Sequence, residues 1–209
     1  DGTINSQVSV NNTLGFSIVS YSGNSTSGAT VGHGLGAAPD LVIIKSYNAT
    51  SNWIIYSSPT GNGKYLQFNI GAASSSNWFN TSATTFTLNN TFGDANASSR
   101  NYIAYNFTSI SGYSKVGTYS GTASANSITT GFEPGFIMIK RTDTTGTWVV
   151  MDSARGMGSN AYALFPNVNS LQSNGWNTAF TATGFTISST EAWINASGGT
   201  YIYLAIKEN

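Results

Sequence analysis

Two passages carry the strongest hydrophobic pattern in the chain, and they are versions of one another. PDLVIIKSYNATSNWIIYSS (39–58) and PGFIMIKRTDTTGTWVVMDSAR (134–155) each hold a continuous apolar run, a polar turn and a second run that opens on tryptophan. Pro39 matches Pro134, Lys45 matches Lys140 and Trp53 matches Trp148, each pair 95 residues apart. An apolar run of strand length bounded by turn residues predicts a strand buried on both faces. With its polar turn, each passage predicts a β-hairpin with a medium loop.

The remaining pattern falls around these hairpins. Gly15–Tyr21, Tyr65–Ile70, Thr84–Leu88 and Asn101–Phe107 read as strands of a first unit, with Ser22–Gly28 a turn and Gly71–Ser82 a polar segment holding Trp78 and Phe79. Gly112–Tyr119, Tyr162–Phe165, Gly184–Ile187 and Tyr201–Ile206 repeat the order, the offset drifting from 95 to 99 as insertions in turns would make it. No stretch keeps helical periodicity. The expectation is an all-β, jelly-roll-like β-sandwich built as two tandem homologous units by internal duplication. Residues 1–13 are expected as an N-terminal arm or linker, 14–110 as the first sandwich and 111–209 as the second. Only Thr108–Ser111 separates the last strand of one from the first of the next. Two closely packed sandwiches are therefore favoured, with one merged sandwich about a pseudo-twofold axis as the alternative.

Composition narrows the function classes. Charged residues make up 8% of the 209, against roughly 25% in an ordinary domain, while 40% hydrophobic and 13% aromatic residues suffice for a core and argue against disorder. Net charge is zero with no basic cluster, so nucleic-acid binding by phosphate neutralisation and attachment to a membrane through a basic face are not expected. The longest apolar runs fall far short of the roughly 18 residues that span a bilayer. There is no cysteine, hence no disulfide or thiolate metal site. Asn-X-Ser/Thr triplets recur, among them those at Asn24, Asn48, Asn80, Asn96, Asn106 and Asn195, and are what a Ser/Thr/Asn-rich chain produces by chance.

Candidate chemistry is sparse. The acids are Asp1, Asp40, Asp94, Glu133, Asp143, Asp152, Glu191 and Glu208. A glycosidase needs two carboxylates about one bond, for which Asp152 and Glu191 are the pair to consider, beside the plainer reading of surface charge. His33 is the single histidine, so any Ser-His-Asp triad would use it; its Gly32-His-Gly34 setting points to a structural role. Asp94-Ala-Asn96 and Asp143-Thr-Thr-Gly146 supply too few oxygens for calcium and read as turns. No catalytic residue, metal or cofactor is expected. Lys45, Lys140, Trp53 and Trp148 read as duplicated scaffold, with Trp rings on the core and lysine stems alongside. Trp78, Trp176 and Trp193 lie in Ser/Asn-rich segments, where an aromatic platform flanked by amides and hydroxyls suits a sugar. Trp78 and Trp176, 98 residues apart in SSSNWFN and QSNGWNT, hold comparable places, which favours rings that plug the open ends of the sandwich.

The passages GFSIVSYSG (15–23), GHGLGAAPDLVIIK (32–45), YIAYNF (102–107), GYSKVGTYSG (112–121), TGFEPGFIMIKRTDTTGTWVVMDSARG (130–156) and GGTYIYLAIKEN (198–209) resemble the β-rich repeat modules of marine bacteriophage and cyanophage tail-fibre or virion structural proteins. Those modules recur in long chains, often beside concanavalin A-like, laminin-G-type domains. The resemblance spans nearly the whole chain and implies a non-enzymatic, extracellular virion part, most simply a tail-fibre or appendage module. It implies other virion proteins and further copies of itself as partners, a trimer being the usual fibre state, and contact with the host surface. A lectin-like module for host glycans and a capsid decoration protein are the alternatives. The chain opens on Asp1-Gly2 without Met, and Asp1–Ser6 resembles the join between modules, so a piece of a longer repeat protein is expected.

Overall fold

A computed structural model describes residues 1–69, 78–89 and 93–208. The described residues divide into two compact units, the first built from 1–68, 78–89 and 93–109, the second from 69 and 110–208. The protein is all-β, with antiparallel ladders throughout and a single helical turn of α type among the described residues.

The first unit contains β1 (Ser6–Asn11), β2 (Phe16–Ser22), β3 (Ala29–Gly32), β4 (Leu41–Ser46), β5 (Ile54–Ser57), β6 (Leu66–Gln67), β7 (Phe79–Thr81), β8 (Thr85–Leu88) and β9 (Asn101–Phe107). They form one sheet of order β1-β2-β9-β4-β5-β6 and another of order β3-β8-β7. The second unit contains β10 (Ser114–Ser120), β11 (Asn126–Thr129), β12 (Pro134–Arg141), β13 (Val149–Asp152), β14 (Thr178–Thr181), β15 (Gly184–Ile187), the turn α1 (Ala192–Asn195) and β16 (Thr200–Lys207). Its sheets are β10-β16-β12-β13 and β11-β15-β14. The order β10-β16-β12-β13 has the same form as β2-β9-β4-β5, and β11-β15-β14 the same form as β3-β8-β7.

Each unit is a two-layer, sandwich-like arrangement whose sheets share one core. In the first, Val19, Val42, Ile44, Ile54, Tyr102 and Ala104 meet Val31, Phe79, Phe86 and Leu88 of the second layer. In the second, Ile137, Ile139, Val149, Met151, Tyr201 and Ala205 meet Ile128, Phe185 and Ile187. The alternation along β2 and β9 follows the pleat: Ser17, Val19 and Tyr21 are buried, and so are Tyr102, Ala104 and Asn106, while their neighbours are half-buried or, at Ser22, exposed.

Two passages differ from expectation. The segment 1–13, expected as an arm or linker, holds β1, which pairs with β2 from Ser6↔Tyr21 to Asn11↔Phe16, and Ile4 is buried and bridges Val31. The sequence conceals this because Val8 and Val10 of β1 both remain exposed. The predicted strand Tyr162–Phe165 makes only isolated bridges, Val150↔Leu164 and Ala163↔Ser173. The expected strand end at Ile70 and residues 71–77 of the polar segment lie outside the described residues. Among the described residues no helix is long and apolar enough to cross a membrane.

Candidate functional site

The hairpin positions that match between the two passages make local packing and loop contacts. Pro39 and Pro134 are buried at or just before the start of the first hairpin strand, β4 and β12 respectively. The Lys45 ammonium donates to the Ser51 carbonyl and sits 5.9 Å from the centre of the half-buried Trp53 ring. The Lys140 ammonium donates to the carbonyls of Arg141 at 2.8 Å and Gly146 at 2.9 Å, closing the loop between β12 and β13. Lys140 and Trp148 are fully buried. Burial disfavours the charged amine and brings the Lys140 pKa down to about 8.

The three candidate tryptophans separate. Trp78 is half-buried in the first unit, its ring centre 4.2 Å from that of Tyr65. Trp176 and Trp193 come together in the second unit, ring centres 6.0 Å apart and planes 24° from parallel, with Phe165 at 5.3 Å from Trp176 and edge-on to Trp193 at 5.8 Å. Trp176 is buried, 5% exposed, whereas Trp193 is 40% exposed. The ladders also shift the comparison: Phe79↔Leu88 and Thr178↔Ile187 are equivalent pairings, so Trp78 corresponds to Asn177 rather than to Trp176.

Trp193 rides on α1, and α1 is tightly held. Tyr201 Oη donates to the Ala192 carbonyl at 2.7 Å and accepts from the Ala196 N–H at 2.8 Å. Tyr119 Oη donates to the Ile194 carbonyl at 2.6 Å, and the two tyrosine rings stack with centres 4.9 Å apart. Burial raises the pKa of both phenols, so they stay protonated donors at neutral pH. Arg141 reaches the Ala192 carbonyl at 3.3 Å while paired with Asp143 at 2.8 Å, and that pairing lowers the Asp143 carboxyl to about 2. The resulting cleft has a volume of about 300 Å³ and is lined by Phe165, Ser173, Asn174, Gly175, Trp176, Glu191 and Trp193. Sequence reasoning missed Phe165, Ser173 and Asn174; the string Gln172–Trp176 and the echo of Phe68 in Phe165 were the available signals. A hollow of about 360 Å³ in the first unit, lined by short polar residues such as Gln7, Ser20 and Asn101 and by Tyr47, has no tryptophan and no carboxylate.

Of the acids weighed for other chemistry, Asp152 and Asp94 are engaged locally, as is Asp40. Asp152 caps the 3₁₀ turn after β13, accepting the Arg155 N–H at 3.0 Å and its Nε–H at 2.7 Å. Asp94 accepts the backbone and amide N–H groups of Asn52 at 2.8 and 3.1 Å. Asp40 accepts from Ser58 Oγ and from the Ser109 N–H. Among the described residues no three His, Cys, Asp or Glu side chains gather as metal ligands do. His33 is buried; Nδ1 accepts the Leu35 N–H at 3.2 Å and Nε2 faces the Ser82 carbonyl at 3.2 Å, a turn-bracing arrangement.

Fold and site thus define an all-β protein of two-layer units, with an aromatic-walled cleft in the second and an apolar hollow lined by Ile43, Trp53, Phe68 and Tyr105 in the first. The chain belongs to the family described as a domain of unknown function (DUF7483), whose model matches residues 1–209. No curated protein and no solved structure matches it.

Proposed function

We propose that this chain is a non-enzymatic structural module of a bacteriophage virion, part of a tail fibre or comparable appendage, made of two homologous units that arose by internal duplication. The observation that carries the reading is the matched bracing of the two units. Asn96 and Asn195, both fully buried, pin equivalent loops, and Tyr102 and Tyr201 tie equivalent segments through Oη. Polar side chains held at equivalent places in both units serve rigidity, and the engaged carboxylates of Asp40, Asp94, Asp143 and Asp152 fit the same role. The sequence resemblance supplies the virion setting.

Imaging of the native particle, with the chain located by a specific antibody, tests this reading. Density along or at the tip of an appendage is the expected result. A chain coating the capsid would make it a decoration protein, and its absence from purified particles would overturn the proposal. Native mass measurement should show an oligomer, a trimer in a fibre; a monomer alone would remove the fibre role.

A further inference from the structure

We infer that the cleft walled by Phe165, Trp176 and Trp193 is a binding site for a single neutral or amine-bearing pyranoside, with the Trp193 indole as its platform. This goes beyond the structural role and does not depend on it.

The argument starts with the division of labour among the rings. Trp176 and Phe165 are buried and together support one side of Trp193, which remains 40% exposed. Hydrogen bonds from Tyr119, Tyr201 and Arg141 to the carbonyls of α1 fix the turn that carries it. A ring so held needs little ordering on binding, which removes a principal cost of association. The electron-rich face of an indole suits the positively polarised C–H face of a pyranose ring.

The polar rim is complementary. Glu191 offers a carboxylate that enters no ion pair among the described residues, Asn174 a carboxamide and Ser173 a hydroxyl, so hydroxyl groups find both acceptors and donors. A volume of about 300 Å³ lies at the lower end for ligand sites and fits one ring rather than a buried chain. Glu191 is the single charged residue in the lining, and the nearby Arg141 is neutralised by Asp143. The site should therefore accept neutral and amino sugars and reject uronates and sialic acids.

The first unit supplies a contrast. Counting back from the equivalent asparagines, the place of Trp193 is taken there by Asp94, which is occupied with Asn52. An exposed indole at this place is thus no requirement of the scaffold.

The test uses the full chain with saturation-transfer NMR and calorimetric titration. The neutral and amino probes are methyl β-glucopyranoside, methyl β-galactopyranoside, methyl α-mannopyranoside, N-acetylglucosamine and glucosamine; the acidic probes are glucuronate and N-acetylneuraminate. At least one neutral or amino probe should bind with a Kd of about 1 mM. Trp193→Ala should weaken it at least about tenfold, Glu191→Gln should weaken glucosamine most, and Trp78→Ala should change nothing. If Trp193→Ala fails to fold by its melting curve, Trp193→Phe and Glu191→Gln carry the test. Absence of binding by every neutral and amino probe beside a working lectin control, binding unchanged in both site variants, or equal binding of the acidic sugars would each overturn the assignment.

Discussion

Asn96 and Asn195, 99 residues apart, hold the same position in their respective units. Asn96 Oδ1 accepts the Asn24 N–H at 3.0 Å and Nδ2 donates to the Thr26 carbonyl at 2.9 Å. Asn195 Oδ1 accepts the Thr122 N–H at 2.9 Å and Nδ2 donates to the carbonyls of Ser124 and Ser189 at 2.7 and 2.8 Å. Each clamps a loop whose middle residue has a positive φ without being glycine, Ser25 at 56° and Ala123 at 52°. That conformation costs on the order of 1 kcal/mol, so the loops depend on their clamp. Asn195→Ala should lower unfolding free energy by about 2–4 kcal/mol through the lost bonds and the buried Ser189 carbonyl left without that donor. Denaturant titration checks this, and a loss under about 1 kcal/mol would refute the clamp. Full burial also makes Asn96, Asn106 and Asn195 unusable as glycan acceptors in the folded chain.

The same loops explain two glycines. A Cβ on Gly23 would stand 2.4 Å from the Ala97 carbonyl oxygen, and one on Gly121 would stand 2.1 Å from that of Ala196. Both obstacles are backbone atoms next to the clamping asparagines, so neither can swing aside. Gly121→Ala should cost at least about 2 kcal/mol and broaden amide signals of α1, while Gly112→Ala, with open space around its Cβ, should suffer from its φ of 75° alone. Melting temperatures of the two variants, side by side, settle the ranking.

Much of this architecture is legible in the sequence because the hairpins at 39–58 and 134–155 combine β-branched runs with Trp and a polar turn. β1 is not legible, since Val8 and Val10 both stay exposed and leave no buried face to mark it. The inner face of β2 is also ambiguous: Phe16 and Ile18 point away from the core, and Ser17, Val19 and Tyr21 point into it. At the cleft, Trp176 and Trp193 are individually visible as aromatics in polar surroundings. Their meeting depends on α1, a four-residue turn too short for any periodicity, and on Phe165, which looks like a strand residue. Equating Trp78 with Trp176 fails by one residue because loop insertions shift the offset to 99 at β7 and β14.

Stability should rise with pH between about 8 and 10 and fall above that. Burial holds the Lys140 amine at about 8 in the folded chain, against about 10.5 when unfolded, so across that window the unfolded chain carries the extra proton and folding gains as pH rises. The gain is on the order of 2 kcal/mol. Above pH 10 the sign reverses, because burial lifts Tyr203 to about 12 and raises Tyr21 and Tyr119 well above 10, and the unfolded phenols ionise first. Urea titrations from pH 7 to 11 should show a maximum near 10, and Lys140→Met should flatten the rising limb while leaving the falling one.

Mild acid should act through His33, the only histidine. Its Nδ1 must stay bare to accept the Leu35 N–H, and burial lowers its pKa below 6.5. Below pH 6.5 the unfolded chain takes up the proton first, so this contribution to stability is lost as pH falls toward the folded value. The imidazole signals, followed by NMR, should titrate below 6.5, and a stability difference between pH 7.5 and 5.5 should shrink in His33→Gln. A titration at or above 6.5 would show that the ring is not held as described.

Trp53 and Trp148 share a motif position but not a burial, and the same substitution should separate them. Trp148 is 1% exposed, its backbone N–H bound to Asn167 Oδ1 at 2.8 Å, whereas Trp53 is half-buried beneath the Lys45 ammonium and 6.3 Å from Phe68. Trp148→Ala opens a cavity inside a closed core and should cost about 3–5 kcal/mol. Trp53→Ala removes a ring from a site that solvent can partly refill, so about 1–2 kcal/mol is expected. Hydrogen exchange should place the Trp148→Ala loss in the β12, β13 and β16 ladder, where Val149 and Met151 lie in the core that Trp148 adjoins in sequence. Equal costs for the two variants would mean that the two motif-matched tryptophans serve one packing role and that the difference in exposure carries no energetic weight.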